Sequence, residues 1–394
     1  MTIYLDNNAT TMVAPEVVEV MHPFWTELYG NPSSIHNFGG QVGSHITNAR
    51  TQVAAVLGAD PSEIVFTSGG SESNNMAIRG TLESMAGRKR HIVTSRVEHP
   101  AVRGVFQHLA NNGYRVTEIG VDRDGALDID ELEKAIGPET ALVSIMWANN
   151  ETGVIFPIER IAHICHDRGV VFHTDAVQAA GKIPIDLGKT PIDLLSISGH
   201  KLHAPKGVGA LFVRKATKMV PLIIGGHQEN GRRAGTENIA SIVGLGKAAE
   251  LAKTGVDAEN NQVRALRDRL EKGLLSHCKD ALLNGKNRLP NTLNISFKYI
   301  EGESILLMLD ELSIAASSGS ACASGSLEPS HVLRAMGVPF TAAHGSIRFS
   351  LSRFNTQKEI DFLIEKMPGI VDRLRDISPF IDNETGKPLE LALS

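Results

Sequence analysis

Three side chains with catalytic potential end or directly follow an apolar, strand-like run: Ser198, His200 and Lys201. Asp175 and Gln178 stand at the corresponding place after the preceding apolar run. Together these residues offer a hydroxyl, an imidazole, an amine, a carboxylate and an amide. Pyridoxal phosphate (PLP) needs such groups, because its aldehyde forms a Schiff base with an amine, its pyridine nitrogen pairs with an acid, and its phosphate binds hydroxyl and N–H donors. The sequence therefore predicts a PLP site.

Two lysines, Lys201 and Lys206, compete for the attachment of this cofactor. Lys201 lies close to the end of the predicted strand, where burial favours a lowered lysine pKa. Lys206 lies between a proline and a glycine, which is typical of a turn. We therefore favour Lys201 as the attachment residue.

Asp175, Gln178 and His99 are the other candidates for contact with the cofactor ring. A carboxylate after a buried run needs a partner, and a protonated pyridine nitrogen would serve for Asp175; a helix cap is the alternative. Gln178 could reach the ring oxygen from one helical turn away. His99 follows the predicted strand 91–95, where it could stack on the ring and move protons, or simply cap a helix.

Residues 67–73 contain two glycines and several hydroxyls between an apolar run and an amphipathic one. Glycines permit close approach of the backbone, and a helix N-terminus offers free N–H groups to an anion. The segment is thus a candidate phosphate site. A tight turn with Ser71 as the helix N-cap is the alternative.

Asn150 and Arg348 are candidates for binding an anionic substrate. Asn150 follows a predicted strand and could donate to a carboxylate or to the cofactor. Arg348 is embedded in an apolar strand, where it needs a planar acidic partner. That partner could be the carboxylate of an amino-acid substrate or a carboxylate of the protein itself.

Cys322 lies in the small-residue segment 317–326, which is rich in serine, alanine and glycine. We expect this segment to be a mobile loop that exposes a nucleophilic thiol. Cys165, in contrast, is expected to be buried within an amphipathic helix. Because transamination needs no thiol, Cys322 points to a PLP enzyme that moves sulfur.

Strand-like and helix-like segments alternate through the first part of the chain, which predicts an α/β fold with a mainly parallel sheet and helices on both faces. Ligands bind such sheets at the carboxyl ends of the strands. After about residue 260 the pattern changes to that of a smaller α+β domain, beginning with a charged helix over 260–277. We predict a large PLP-binding domain over 16–260 and a small domain formed by 1–15 and 261–394, which carries the cysteine loop.

Composition excludes several classes of protein. The net charge of −5 over 394 residues disfavours a nucleic-acid surface. No apolar stretch reaches the roughly 18 residues of a membrane span, and residues 1–6 do not resemble a secretory signal. Three widely spaced cysteines form neither a disulfide framework nor a metal motif, so we expect a reducing, cytoplasmic setting without a bound metal.

The chain resembles the cysteine desulfurases, which belong to class V of the PLP enzymes with the type I, aspartate-aminotransferase-like fold. The resemblance extends over nearly the whole length. It rests on residues 5–11, 30–34, 67–74, 98–100, 149–153, 175–178, 198–201, 233–236 and 317–322. The segment 317–322, together with 327–330, is similar to the corresponding segment of the group I desulfurases that serve iron–sulfur cluster assembly.

The resemblance implies a role for each matching residue. Lys201 would hold PLP and move the Cα proton, with Asp175 on the pyridine nitrogen, Gln178 on the ring oxygen and His99 stacked on the ring. The phosphate would be held by Gly70, Ser71, Ser198 and His200, and by Thr236 from the second subunit of a homodimer. Asn150 would contact both cofactor and substrate, Arg348 would bind the substrate carboxylate, and Cys322 would take the sulfur.

The function implied is conversion of L-cysteine to L-alanine, with sulfur passed through a Cys322 persulfide to an iron–sulfur scaffold protein. The resemblance slightly favours a desulfurase of the nitrogen-fixation type. It does not identify the protein that accepts the sulfur. Selenocysteine lyase or aminotransferase activity on the same fold is the alternative. A hypothesis of a different kind is a protein without catalytic activity that only binds assembly partners.

Overall fold

A computed structural model describes residues 2–318 and 329–380. Its main feature is a seven-stranded sheet. The order of strands across this sheet is Ile64–Thr67, Gly209–Val213, Leu194–Ser198, Val171–Asp175, Thr140–Ser144, His91–Ser95 and Arg115–Ile119. Only Gly209–Val213 runs antiparallel to its neighbours among these strands, so the predicted mainly parallel sheet is confirmed.

Both faces of this sheet are covered over its inner strands, which explains why most of them are largely apolar; the edge strand Arg115–Ile119 is polar and mostly not buried. Within Ile64–Thr67, Ile64 and Phe66 join one apolar core while Val65 joins another on the opposite face. The helices that precede or connect these strands are Pro15–Met21, Pro23–Thr26, Asn37–Leu57, Gly70–Ser84, Pro100–Asn111, Ile129–Ala135 and Ile158–Asp167. In the described part of the chain, every helix is too short or too polar to cross a membrane.

A second core forms around a four-stranded antiparallel sheet. Its order is Ser317–Ser318, Ser346–Ser350, Thr292–Phe297 and Ala281–Leu283. The helices Gly302–Glu311 and Gln357–Asp376 contribute buried residues to this core. The short helices His331–Ala335 and Phe340–Ala343 lie between strands of this sheet in sequence, but their buried residues belong to the first core. The N-terminal strand Ile3–Tyr4 pairs in parallel with Ile314–Ala315, and Leu5 is fully buried in this second core. The first residues of the chain therefore pack with its last third.

One helix, Ile239–His277, connects the two cores. The sequence predicted a helix only from residue 260, and that start is wrong. Residues 239–259 are rich in alanine and glycine, so their apolar periodicity is weak and the helical signal was missed. Leu245 packs in the first core and Leu270 in the second. Residue 260, the predicted domain boundary, thus lies within a continuous helix.

Gly246 lets this helix approach the helix Asn37–Leu57 closely. A Cβ atom on Gly246 would lie 2.6 Å from the Cα atom of Ala49. Gly246→Ala is therefore expected to lower the free energy of unfolding by about 1–3 kcal/mol. The matched variant Gly43→Ala, whose Cβ would meet no atom within 4 Å, should raise it by about 0.5–1 kcal/mol. Urea unfolding measures the change in the free energy of unfolding for both variants. Equal changes in the two variants would contradict this account.

Candidate active site

A cleft of about 310 Å³ opens at the carboxyl ends of the parallel strands. Nearly all of the predicted site residues line it, although they come from distant parts of the chain. They are Gly70, Ser71, His99, Asn150, Asp175, Gln178, Ser198, His200, Lys201 and Arg348. The cleft is large enough for a small organic ligand. Asn8, Ala9, Asn74, Met146 and Ala148 also line it and were not singled out in the sequence.

Lys201 ends a short 3-10 turn, Gly199–Lys201, directly after the strand Leu194–Ser198. Its Nζ atom donates to the carbonyl oxygens of Asn8 and Ala9, each at 2.5 Å. Burial, with the positive charge of Arg348 adding to it, lowers the pKa of Lys201 to about 8. An amine in this environment is readily deprotonated and can act as nucleophile or base.

Asp175 is buried at the end of its strand, with 5% of its surface exposed. Its Oδ2 atom accepts a hydrogen bond from Asn74 Nδ2 at 2.7 Å, and its Oδ1 atom accepts from the backbone N–H of Val177 at 3.0 Å. These bonds fix the carboxylate in the wall of the cleft, where it can pair with a cationic ring nitrogen. Asn74 was missed because its buried position on the helix Gly70–Ser84 carries no local signal of a polar partner.

The helix Gly70–Ser84 begins at the cleft without a side-chain cap, and its N-cap is Gly69, not Ser71. A Cβ atom on Gly70 would lie 2.8 Å from Val177 Cγ2 and 3.5 Å from Ser198 Cβ. Glycine is thus needed here because the start of the helix packs closely against Val177 and lies beside Ser198. Free N–H groups, hydroxyls and the positive end of a helix dipole suit a phosphate at this end of the cleft.

The two cleft histidines are neutral near pH 7. His99 caps the helix Pro100–Asn111, since its Nδ1 atom accepts from the backbone N–H of Ala101 at 3.1 Å. Burial lowers the pKa of His99 and lowers the pKa of His200 to about 4. The Nδ1 atom of His200 lies 3.2 Å from Thr10 Oγ1. A neutral imidazole at His99 is suited to stacking on a positively charged ring.

Arg348 finds its acidic partner within the protein. Its Nη2 atom lies 2.7 Å from Asp6 Oδ1, and its Nη1 atom donates to the carbonyl oxygen of Asn150 at 3.0 Å. No group in residues 2–318 or 329–380 bonds its buried Nε atom. Asp6 also accepts from Ser317 Oγ at 3.1 Å. Arg348 is therefore held at the cleft beside the strand Ser317–Ser318. The sequence predicts a loop over 317–326; for these first two residues that prediction is wrong, because their backbone pairs with the strand Ser346–Ser350.

Cys165 and Cys278 are buried free thiols, as predicted for Cys165. Burial raises their pKa values to about 12 and about 11, which suppresses the reactive thiolate. Cys322 lies outside the described residues. Within those residues, no group of three His, Cys, Asp or Glu side chains is arranged to hold a metal ion.

Thr236 does not line this cleft. It is exposed and lies in a separate depression of about 220 Å³ beside Glu229 and Arg233. Its predicted contact with a phosphate would have to be made in the other subunit of a dimer, and it stays a prediction.

Glu98 is a fully buried carboxyl behind His99. Its Oε1 atom accepts from Ser95 Oγ and the Met146 N–H, whereas its Oε2 atom has no partner among the described residues. Burial raises the pKa of Glu98 from 4.5 to about 8, and the charge of Asp175 adds to this effect. The folded protein thus keeps a proton that the unfolded chain loses.

The contribution of Glu98 to the free energy of unfolding should therefore fall as the pH rises from 4.5 to about 8, with a slope that approaches about 1.4 kcal/mol per pH unit. Glu98→Gln, which cannot ionise, is expected to flatten this fall. Urea unfolding across that pH range measures the difference. Parallel curves for the two proteins would show that Glu98 does not titrate in this interval.

Comparison with known proteins gives one consistent result. The family model for class-V aminotransferases matches residues 3–363. The chain is 60% identical to a cysteine desulfurase of Trichormus azollae, over 98% of this chain and 96% of that protein. It is 56% identical to the cysteine desulfurase NifS of Azotobacter vinelandii, over 96% and 94%. A solved NifS-like protein superposes with a TM-score of 0.90 at 41% identity, covering 95% of this chain and all of that one.

Proposed function

Because the chain belongs to the class-V aminotransferase family and is a cysteine desulfurase, we propose that its cleft binds PLP and L-cysteine and that Cys322 receives the sulfur. The observation that carries this proposal is the convergence of a readily deprotonated Lys201, a buried Asp175 and an uncapped helix N-terminus on one cleft. PLP withdraws electrons from the Cα atom of a bound amino acid, which makes its proton acidic.

The residues of the cleft fit this cofactor. Lys201 would attach to it, and Asp175 would pair with its ring nitrogen. Gln178 would bond the ring oxygen, and His99 would stack on the ring. The phosphate would lie against Gly70, Ser71, Ser198 and His200, with Thr236 contributed by the second subunit of a homodimer.

Substrate binding and proton transfer then follow from the described side chains. Arg348 is fixed by Asp6, and its Nε atom has no partner among residues 2–318 and 329–380, so its guanidinium could donate to the substrate carboxylate together with the Asn150 side-chain amide. Lys201, with a pKa near 8, is partly neutral at physiological pH and can remove the Cα proton.

The sulfur step belongs to Cys322. Its thiolate would attack the sulfur of L-cysteine, so that the S–S bond of a Cys322 persulfide forms as the substrate C–S bond breaks. The carbon retains the electron pair of that bond and takes up a proton, which gives L-alanine. The two buried thiols, Cys165 and Cys278, are too poorly ionised to do this.

We further propose that the persulfide supplies sulfur to a scaffold protein for iron–sulfur cluster assembly, in the cytoplasm. Support comes from the resemblance of residues 317–330 to the group I desulfurases and from the 56% identity to NifS. Among a general scaffold, a scaffold dedicated to nitrogen fixation and a tRNA-modifying carrier, this resemblance favours the nitrogen-fixation scaffold as the acceptor.

Incubation of the enzyme with L-cysteine tests the proposal. L-Alanine should appear, and mass spectrometry should find one added sulfur atom on the peptide that contains Cys322 but not on those with Cys165 or Cys278. In a parallel incubation with added 2-oxoglutarate, formation of glutamate and the 2-oxo acid of cysteine in place of alanine would indicate an aminotransferase. A much faster turnover of selenocysteine than of cysteine would indicate a selenocysteine lyase.

A further inference from the structure

A hydrogen-bonded chain connects the cleft to a second lysine, Lys182, which lies behind Lys201. The Lys182 Nζ atom donates to Gln178 Oε1 at 3.2 Å and to the Gln178 carbonyl oxygen at 3.1 Å. Gln178 Nε2 in turn donates to the carbonyl oxygen of Asn8 at 3.0 Å, and the same oxygen accepts from Lys201. Lys182 is thus two hydrogen bonds away from the oxygen that holds Lys201.

Lys182 is held in this place without a carboxylate partner. Asn260 Nδ2 donates to its carbonyl oxygen at 2.7 Å, which ties it to the helix Ile239–His277. Within residues 2–318 and 329–380, no carboxylate lies within ion-pair distance of its amine, and the nearby Glu259 pairs with Arg353 at 3.4 Å. Burial, with the charge of Lys201 adding to it, lowers the pKa of Lys182 to about 7.

This contact determines which end of the Gln178 amide faces which neighbour. Lys182 donates to the amide oxygen, and the Asn8 carbonyl accepts from the amide nitrogen. Rotation of the amide by half a turn would place donor against donor at Lys182 and acceptor against acceptor at Asn8. Because Gln178 is only 4% exposed, water could not satisfy the misplaced groups.

We propose that Lys182 is a positioning residue, which fixes the Gln178 amide so that its NH₂ group faces the cofactor pocket. The inference rests on the proposed function, since it assigns the Gln178 NH₂ group to the ring oxygen of PLP. Lys182 itself touches neither cofactor nor substrate in this account.

A double-mutant cycle on the holoenzyme tests the proposal. The readouts are the dissociation constant of PLP, from reconstitution of the cofactor-free protein, and the pH midpoint of the visible absorbance of the bound cofactor. Lys182→Met should weaken PLP binding roughly three- to tenfold. It should also raise the pH midpoint, because an unoriented amide no longer stabilises negative charge on the ring oxygen. In a Gln178→Leu background, Lys182→Met should change neither quantity further.

Two other variants complete the design. Lys182→Gln keeps an N–H donor without the charge and should restore the wild-type midpoint. Lys189→Met, which replaces an exposed lysine, is the matched control and should behave as wild type. Additive effects in the cycle, or a Lys182→Gln midpoint shifted as far as that of Gln178→Leu, would overturn the proposal. Failure of the wild-type protein to bind PLP would instead overturn the proposed function.

Discussion

Lys201→Ala is expected to abolish covalent attachment of the cofactor and to reduce alanine formation by at least roughly 10³-fold. The variant loses the only amine of the described residues that lies within the cleft at the ends of the strands. It also loses the base that would move the Cα proton. Reduction with borohydride followed by mass spectrometry measures attachment, and an alanine assay measures turnover.

Lys206→Ala is the matched control for this prediction. Lys206 is an exposed lysine five positions further along the chain and does not line the cleft. The Lys206→Ala variant should keep both the covalent attachment of the cofactor and the formation of alanine. If cofactor were still trapped on Lys201→Ala but not on Lys206→Ala, the assignment of the attachment lysine would be reversed.

Cys322→Ala should keep the bound cofactor and its spectral response to L-cysteine, while alanine formation falls more than about 100-fold. The reason is that Lys201, Asp175 and Arg348 remain in place, and only the sulfur acceptor is removed. Absorbance spectroscopy measures cofactor and substrate binding, and the alanine assay measures the chemical step.

Full activity in Cys322→Ala would rule out sulfur transfer to this thiol. Loss of substrate binding together with activity would also contradict the account, because it would place Cys322 in the binding site and not in the transfer step. Cys165 and Cys278 serve as internal controls, since their buried thiols should carry no added sulfur.

Much of the fold could be predicted because most strands of the large sheet are buried on both faces and so appear as largely apolar runs. The strand His91–Ser95 has the predicted bounds. The same logic predicted the cleft, since polar residues that follow such runs converge at one edge of a parallel sheet. Helices with a weak apolar period, such as Asn37–Leu57, gave no comparable signal.

The contacts made by the N-terminal segment could not be predicted from local sequence. Asp6 pairs with Arg348, and the Asn8 carbonyl oxygen accepts from both Gln178 and Lys201. These partners are separated by well over a hundred residues, and no periodicity connects them. From the sequence, the acidic partner of Arg348 could be a substrate carboxylate or a carboxylate of the protein. In the structure, Arg348 forms an ion pair with Asp6.

The helix Ile239–His277 has a consequence for how the molecule can be divided. Its first half contributes side chains to one apolar core and its second half to the other. A chain severed near residue 260 would leave each fragment with a truncated helix whose apolar side meets water. We therefore expect neither fragment to fold as an autonomous unit. The spacing between Lys201 and Arg348 is accordingly a property of one shared scaffold, not of two preformed bodies that dock.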